Sequence, residues 1–205
     1  SNDTAICEGD CAPLLASGAT SYAWNASSSL SDTAVANPIA CPVATETFFV
    51  TGTAGLCTDN AQVTVTVNPS PTIDAGLDQT ICIGDTVQLG ASGGLFYLWT
   101  PADSLSATTT ADPFAWPTDS TQYIVTGTDA NGCSSSDTVN VFVNPLPAVD
   151  AGPASSICLG DTAQLDASGA DSYNWSPSGS LSNATISNPL AFPTVNTIYT
   201  VVATD

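Results

Sequence analysis

The 205-residue chain contains no lysine, no arginine, no histidine and no methionine. Its nineteen carboxylates, seventeen of them Asp, stand without a cationic side chain, so no side-chain salt bridge can form. Phosphate neutralisation needs Lys or Arg, which excludes nucleic-acid binding; attraction to anionic membrane surfaces fails for the same reason. Ser-His-Asp, Cys-His and Ser-Lys nucleophiles cannot be assembled, nor can arginine clamps or Walker-type phosphate loops. A zinc site would lack imidazole and CxxC spacing. The carboxylate pair of a glycosidase is the one catalytic constellation left open, but the Asp residues recur in turn-like contexts with no cleft-building insertion. The chain therefore reads as not an enzyme. No apolar run approaches the length of a bilayer span, so no membrane insertion is expected. The opening SNDTAIC has neither a basic n-region nor an apolar h-region, which leaves a signal peptide already removed or an excerpt of something longer.

What is present is 52 Ser and Thr residues, a hydrophobic content of 43%, and charged residues at only 9% with a net charge of −19. Such a chain has enough apolar material for packed cores and a hydroxyl-rich, sparsely negative exterior that favours solubility. Seven cysteines without metal-type pairing point to disulfides and an oxidising compartment.

The dominant signal is repetition. ICEGDCAPL (6–14), ICIGDTVQL (81–89) and ICLGDTAQL (157–165) recur, as do SYAW (21–24), FYLW (96–99) and SYNW (172–175). NPIACP (37–42), DPFAWP (112–117) and NPLAFP (188–193) follow in register, then FFVTGT (48–53), YIVTGT (123–128) and YTVVAT (199–204). A final strand AQVTVTV (61–67) returns as DTVNVFV (137–143) and has no third copy. The period is 75 or 76 residues, giving three units: 1–69, 70–145, and 146–205 stopping before its last strand. Two Pro-rich joints, VNPSPTIDAG (67–76) and VNPLPAVDAG (143–152), connect them. Val63, Val65 and Val67 alternate with polar residues, as do Val139, Val141 and Val143, which is period-2 strand patterning with one buried face. Tyr and Trp share a face in each aromatic strand, Gly-Asp marks a turn, and no stretch has helical periodicity. The expected fold is all-β: tandem antiparallel immunoglobulin-like sandwiches, joined end to end by stiff Pro links. At roughly 35–40 Å per unit, three units would make a rod of about 100 Å.

The pattern ICxGD…L.AsG…Y.W.P…NP.a.P…Y.VtgTdanGC…V.V.VNP resembles the PKD-like, immunoglobulin-like repeats of long surface proteins of gliding bacteria that use type IX secretion. The resemblance spans essentially the whole chain and implies adhesins and surface filaments outside the cell. It says little about a ligand, because such domains also serve as spacers in secreted enzymes. The first unit departs from the pattern: Cys11 and Cys41 are extra, and TAGLC replaces TDANGC.

Cysteine placement follows the repeat. Cys7 and Cys57 are fifty residues apart and Cys82 and Cys133 fifty-one, and each pair is expected to join an opening strand to the start of a last strand. Cys11 and Cys41 form the extra set, and the partner of Cys158 would lie near position 209, past the chain end. The expected bridges are Cys7–Cys57, Cys82–Cys133 and Cys11–Cys41, with linkage between neighbouring units, such as Cys57–Cys82, as the open rival.

Two further expectations concern the carboxylates and hydroxyls. No cofactor is called for, with calcium the one exception: Asp74, Asp78, Asp129, Asn131 and Asp150 would have to converge near a unit boundary, against the plainer reading that each shapes a turn. Asp-Ser/Thr followed by an apolar or Thr residue occurs seven times, and is similar to the O-glycosylation signal of the bacterial group above. The acceptors would be Thr33, Ser104 and Thr138 first, then Thr4, Thr86, Ser120 and Thr162. The Asn-x-Ser/Thr sequons at Asn2, Asn25, Asn174 and Asn183 carry less weight. The functional expectation is a non-catalytic stalk or adhesive segment of a repetitive extracellular protein. Its partners would be neighbouring repeats of the same polypeptide and surface glycans or other cells. The alternatives are the spacer of a secreted hydrolase, or a carbohydrate-binding module using Trp116, whose alignment with Cys41 and Phe192 suggests a buried ring.

Overall fold

A computed structural model describes residues 2–205, and every regular element in them is a strand. The chain divides into two compact units, Ser1–Val143 and Asn144–Asp205.

The first unit holds repeats one and two. In repeat one the strands are β1 (Thr4–Cys7), β2 (Ala12–Pro13), β3 (Ser21–Trp24), β4 (Ile39–Ala40), β5 (Glu46–Ala54) and β6 (Cys57–Asn68). They form a four-stranded sheet in the order β1-β6-β5-β3, and a two-stranded ribbon of β2 and β4. Repeat two reproduces this with β7 (Gln79–Cys82), β8 (Val87–Gln88), β9 (Phe96–Thr100), β10 (Phe114–Ala115), β11 (Thr121–Thr128) and β12 (Ser134–Asn144), ordered β7-β12-β11-β9 with a β8–β10 ribbon. The pairs β2–β4, β3–β5, β5–β6, β8–β10, β9–β11 and β11–β12 are antiparallel as expected, but the first sheet contains a parallel pair. The short opening strand β1 runs parallel to β6, with Thr4 opposite Val65 and Cys7 opposite Asn68.

Each sheet closes over its own core, because the alternating valines put one face inward. In repeat two Trp99, Tyr123, Val125, Val139 and Val141 are fully buried; in repeat one the same places are taken by Trp24, Phe48, Val50, Val63 and Val65. Polar tips in these cores are satisfied by the backbone. The indole N–H of Trp24 donates to the carbonyl of Val35 at 2.8 Å, and that of Trp99 to Thr110 at 2.9 Å. The hydroxyls of Tyr22 and Tyr97 donate to the carbonyls of Ala19 and Gly94. Among the described residues no buried side-chain polar atom lacks a partner. With no cation in the chain, Glu46 is instead held by the hydroxyls of Ser27 (2.7 Å) and Ser29 (2.9 Å).

The second unit is repeat three, with β13 (Ala163–Gln164), β14 (Ser172–Ser176), β15 (Leu190–Ala191) and β16 (Thr200–Thr204). β14 pairs with β16 and β13 with β15, over a smaller core of Ala167, Trp175, Leu181 and Ala191. Its sequence holds no counterpart of β6 or β12, and a groove of about 640 Å³ runs between residues 151–159 and 193–199.

The ICxGD phrase is a turn in all three repeats. The amide N–H of Asp10 donates to the carbonyl of Cys7 at 3.0 Å, as Asp85 does to Cys82 and Asp161 to Cys158. The third residue of each turn is a glycine at φ of +89°, +94° or +97°, a region that costs a side-chain-bearing residue strain.

Candidate functional site

The chemistry that distinguishes this chain lies where repeat one meets repeat two, and it corrects the expected cysteine pairing. Cys7 is bonded to Cys133, 126 residues away, with Cα atoms 5.5 Å apart. The predicted Cys7–Cys57 and Cys82–Cys133 bridges are absent, and Cys57, Cys82 and Cys158 are exposed thiols. The physical reason is the parallel pairing of β1. Cys7 lies opposite Asn68, while Cys57 begins the twelve-residue β6 at its other end. At about 3.3 Å per residue these two sulfurs sit roughly 35 Å apart, far beyond disulfide reach. In repeat one the opening-strand cysteine thus marks the exit end and the last-strand cysteine the entry end, so the Cys7–Cys133 bridge joins the exit of repeat one to the last-strand entry of repeat two. The expected Cys11–Cys41 pair is bonded, with Cα atoms 4.3 Å apart. It ties the turn after β1 to the end of β4, a position filled by Thr86 and Trp116 in repeat two.

The joint that leaves β6 is not a free linker. Ile73 and Ala75 are buried in the core of repeat two. Asp74 and Ser92 exchange backbone hydrogen bonds at 3.2 and 2.9 Å. The hydroxyl of Ser135 donates to the carbonyl of Pro71, and the N–H of Ala75 donates to the Asp137 carboxylate at 2.8 Å. That bond, with another from the Thr138 N–H, holds the Asp137 carboxyl below its ordinary range. Close approach demands small residues: a Cβ at Gly127 would lie 2.2 Å from Ile73 Cδ1, and one at Gly93 would lie 1.9 Å from the Thr72 carbonyl oxygen. Within the second unit the same seat recurs. Asp150 and Ser168 exchange hydrogen bonds at 3.1 and 2.9 Å, and a Cβ at Gly169 would lie 2.0 Å from the carbonyl oxygen of Ala148.

The calcium candidates are dispersed into local hydrogen bonds. Asp74 accepts from Gly76 N–H and Asp150 from Gly152 N–H, each an Asx turn in a joint. Asp129 accepts from the N–H groups of Asn131 and Cys133, shaping the β11–β12 hairpin. Asp78 accepts from the backbone and side chain of Asn140, pinning β7 to β12. Among the described residues no group of three or more Cys, Asp or Glu side chains is placed to hold a metal ion.

Of the glycosylation candidates, Thr33, Thr86, Thr138, Ser120 and Thr162 are exposed, while Thr4 and Ser104 are half-buried. Ser104, expected to be exposed, instead sits in a turn at φ of +59°; Ser120 accepts from the Val143 N–H. Trp116, expected to be buried, is 44% exposed, as is the aligned Phe192 at 45%. Each follows directly on a two-residue strand, β10 or β15, whose last residue, Ala115 or Ala191, is buried.

No family model matches the chain, and no curated protein does. Among solved structures it is similar to the eight N-terminal Ig domains of Down syndrome cell adhesion molecule at 12% identity, covering 100% of this chain and 41% of that one, with a TM-score of 0.43. A titin I-band fragment, I67–I69, matches at 10% identity, 100% and 91% coverage and a TM-score of 0.46. The first four Ig domains of Sidekick-1 match at 14% identity, 100% and 70% coverage and a TM-score of 0.36. The chain spans less than half of the first of these. Its own strand order and cores establish tandem immunoglobulin-like sandwiches.

Proposed function

We propose that this chain is a non-catalytic, tension-bearing segment of a repetitive extracellular protein, holding an adhesive or structural partner away from a surface. The observation that carries the reading is the Cys7–Cys133 bridge. It sits near the start of repeat one and at the entry to the last strand of repeat two, so a pull on the two ends of this unit passes through one covalent bond. The stretch between the sulfurs is closed to extension by the bond, while the load still reaches β1 and β12, whose Ile6, Val139 and Val141 lie outside it. Freed, that stretch would lengthen by roughly 400–450 Å. Disulfides of this kind belong to oxidising surroundings, and a chain without Lys or Arg offers trypsin-like proteases nothing to cut.

The test is single-molecule stretching of the full chain from its termini. Under oxidising conditions the long extension of the first unit is expected to be missing, and reduction restores it. Equal extensions in both conditions would remove the mechanical reading. O-linked glycans on the exposed acceptors Thr33 and Thr138 fit the same setting; an intact mass of the secreted protein equal to its sequence mass would dispose of them.

A second reading is favoured by one observation: the 44% exposure of Trp116 offers a ring for stacking on a sugar. Glycan-array binding that disappears in Trp116→Ala would support a carbohydrate-binding role; an array blank for the native chain would end it.

A further inference from the structure

Repeat one carries a groove of about 400 Å³ lined by Trp24, Val50, Gly52, Ala61 and Val63, with Cys57 at its rim. Its position is the one that the joint occupies on repeat two. Gly52 corresponds to Gly127, against which Ile73 packs, and Gly18 to Gly93, which abuts Thr72. Ser17 corresponds to Ser92, which exchanges backbone bonds with Asp74, and Asp59 to Ser135, which donates to Pro71. The residues of repeat one that would correspond to Asn68–Ala75 fall before Ser1. Burial records the difference. Trp99 and Val125 are 0% exposed, whereas Trp24 and Val50 retain 6% and 8%. A Cβ at Gly18, which has the same backbone as Gly93, meets nothing within 4 Å among the described residues. The cysteines repeat the asymmetry independently. Cys133 is fully buried in its bond to Cys7, while Cys57, at the same place in its own repeat, is an exposed thiol.

We infer that this groove and Cys57 together form a receiving site for another copy of the repeat, carried N-terminal to Asn2 in the same polypeptide. The occupant is a Pro-x-Pro-x-(Ile/Val)-Asp-Ala-Gly joint laid against Gly18 and Gly52, with the opening-strand cysteine of that copy bonded to Cys57. Cys82 and Cys158, which stand where Cys7 stands in repeat one, are the complementary halves: by the same step Cys82 takes the last-strand cysteine of repeat three and Cys158 that of the repeat after it. Three exposed thiols are thereby unpaired members of one covalent series, of which Cys7–Cys133 is the complete example. The bond forms by exchange with a small-molecule disulfide: one thiolate attacks it and releases a thiol, and the second thiolate then displaces the remaining half. Two protein thiols and one glutathione disulfide thus yield one protein disulfide and two glutathiones. The inference deepens the mechanical reading above, but its test reads bond identity and not extension, so the two can fail separately.

The experiment uses the full chain preceded by a second copy of Leu77–Gly152, with Gly152 of the added copy taking the place of Ser1. Cys82→Ser in the original copy makes the diagnostic peptide unique. The protein is oxidised in a glutathione buffer, digested with pepsin without reduction, and its bonds mapped by mass spectrometry. The expected product links Cys57 to the opening-strand cysteine of the added copy, with Cys7–Cys133 retained as the internal check of folding. Val149→Asp in the added joint is expected to lower the yield of that bond several-fold. A free Cys57, its linkage to any other cysteine, or a yield indifferent to Val149→Asp would overturn the proposal. The unextended chain treated alike is expected to keep Cys57 unlinked; equal cross-linking between separate chains would overturn the assignment to the same polypeptide.

Discussion

Cys7 and Cys133 share a disulfide although each belongs to a different repeat and 126 residues separate them. The bond is possible because β1 lies parallel to the last turn-free stretch of β6, which delivers Cys7 to the exit of repeat one. The joint then runs directly onto repeat two, whose hairpin presents Cys133 at its entry. Covalent and non-covalent contacts therefore act on one junction, and each can be removed separately.

Digestion without reduction is expected to recover two linked peptide pairs, Cys7–Cys133 and Cys11–Cys41, and three alkylatable thiols. Cys133→Ala should lower stability by about 2–5 kcal/mol in denaturant titration, as loss of a bridge closing a long loop commonly does. Recovery of a Cys7–Cys57 peptide would refute the junction.

Gly93→Ala and Gly18→Ala impose the same left-handed strain, at φ of +90° and +92°, but only the first also strikes the joint, at the Thr72 carbonyl. Each should cost about 1–2 kcal/mol from backbone strain, and Gly93→Ala about 1–3 kcal/mol more from displaced packing. Paired unfolding curves measure the difference; equal costs would mean that the joint is not seated.

The junction should loosen in acid. Hydrogen bonds from Ala75 and Thr138 lower the carboxyl of Asp137 in the folded chain. A folded value below the unfolded one means that its stabilisation is full above about pH 4 and is lost as the pH falls through the folded value. Amide exchange at Ile73 and Ala75 is expected to accelerate below about pH 4, corrected for intrinsic rates. Asp137→Asn should flatten that dependence, and a profile unchanged by the substitution would contradict the role.

The two tryptophans of repeat two should behave oppositely. Trp99 is fully buried and hydrogen-bonded to Thr110, so Trp99→Ala is expected to cost about 3–5 kcal/mol. Trp116→Ala should cost well under half as much, because the residue keeps 44% of its surface in solvent and makes no part of the buried core. Similar losses from both would place the Trp116 ring in the core after all.

Much of this was legible in the chain itself. Alternating valines and the Tyr-x-Trp strands specify a face that must be buried, and the period of 75 or 76 residues declares how many times this happens. The Cys-x-Gly-Asp turn follows from glycine's access to positive φ. Cys11–Cys41 was readable because both cysteines are additions to one repeat. The other pairing was not. Equal spacing within repeats, fifty and fifty-one residues, suggested closure of each on itself. Spacing along the chain carries no information on whether an opening strand runs parallel or antiparallel to the last one. Trp116 misled for a related reason: alignment places it on the ribbon, while the side to which it points depends on the packing of Ala115 into the core.

The order of residues alone determined an all-β chain of repeating sandwiches without the histidine, lysine or arginine that triads, Ser-Lys nucleophiles and phosphate clamps require, because those depend on residue types and local periodicity. Which cysteines meet, and which repeats they join, was decided by the tertiary structure. That choice rests on strand direction and on the seating of a proline joint in a neighbour's core, and both are long-range packing events with no local signature.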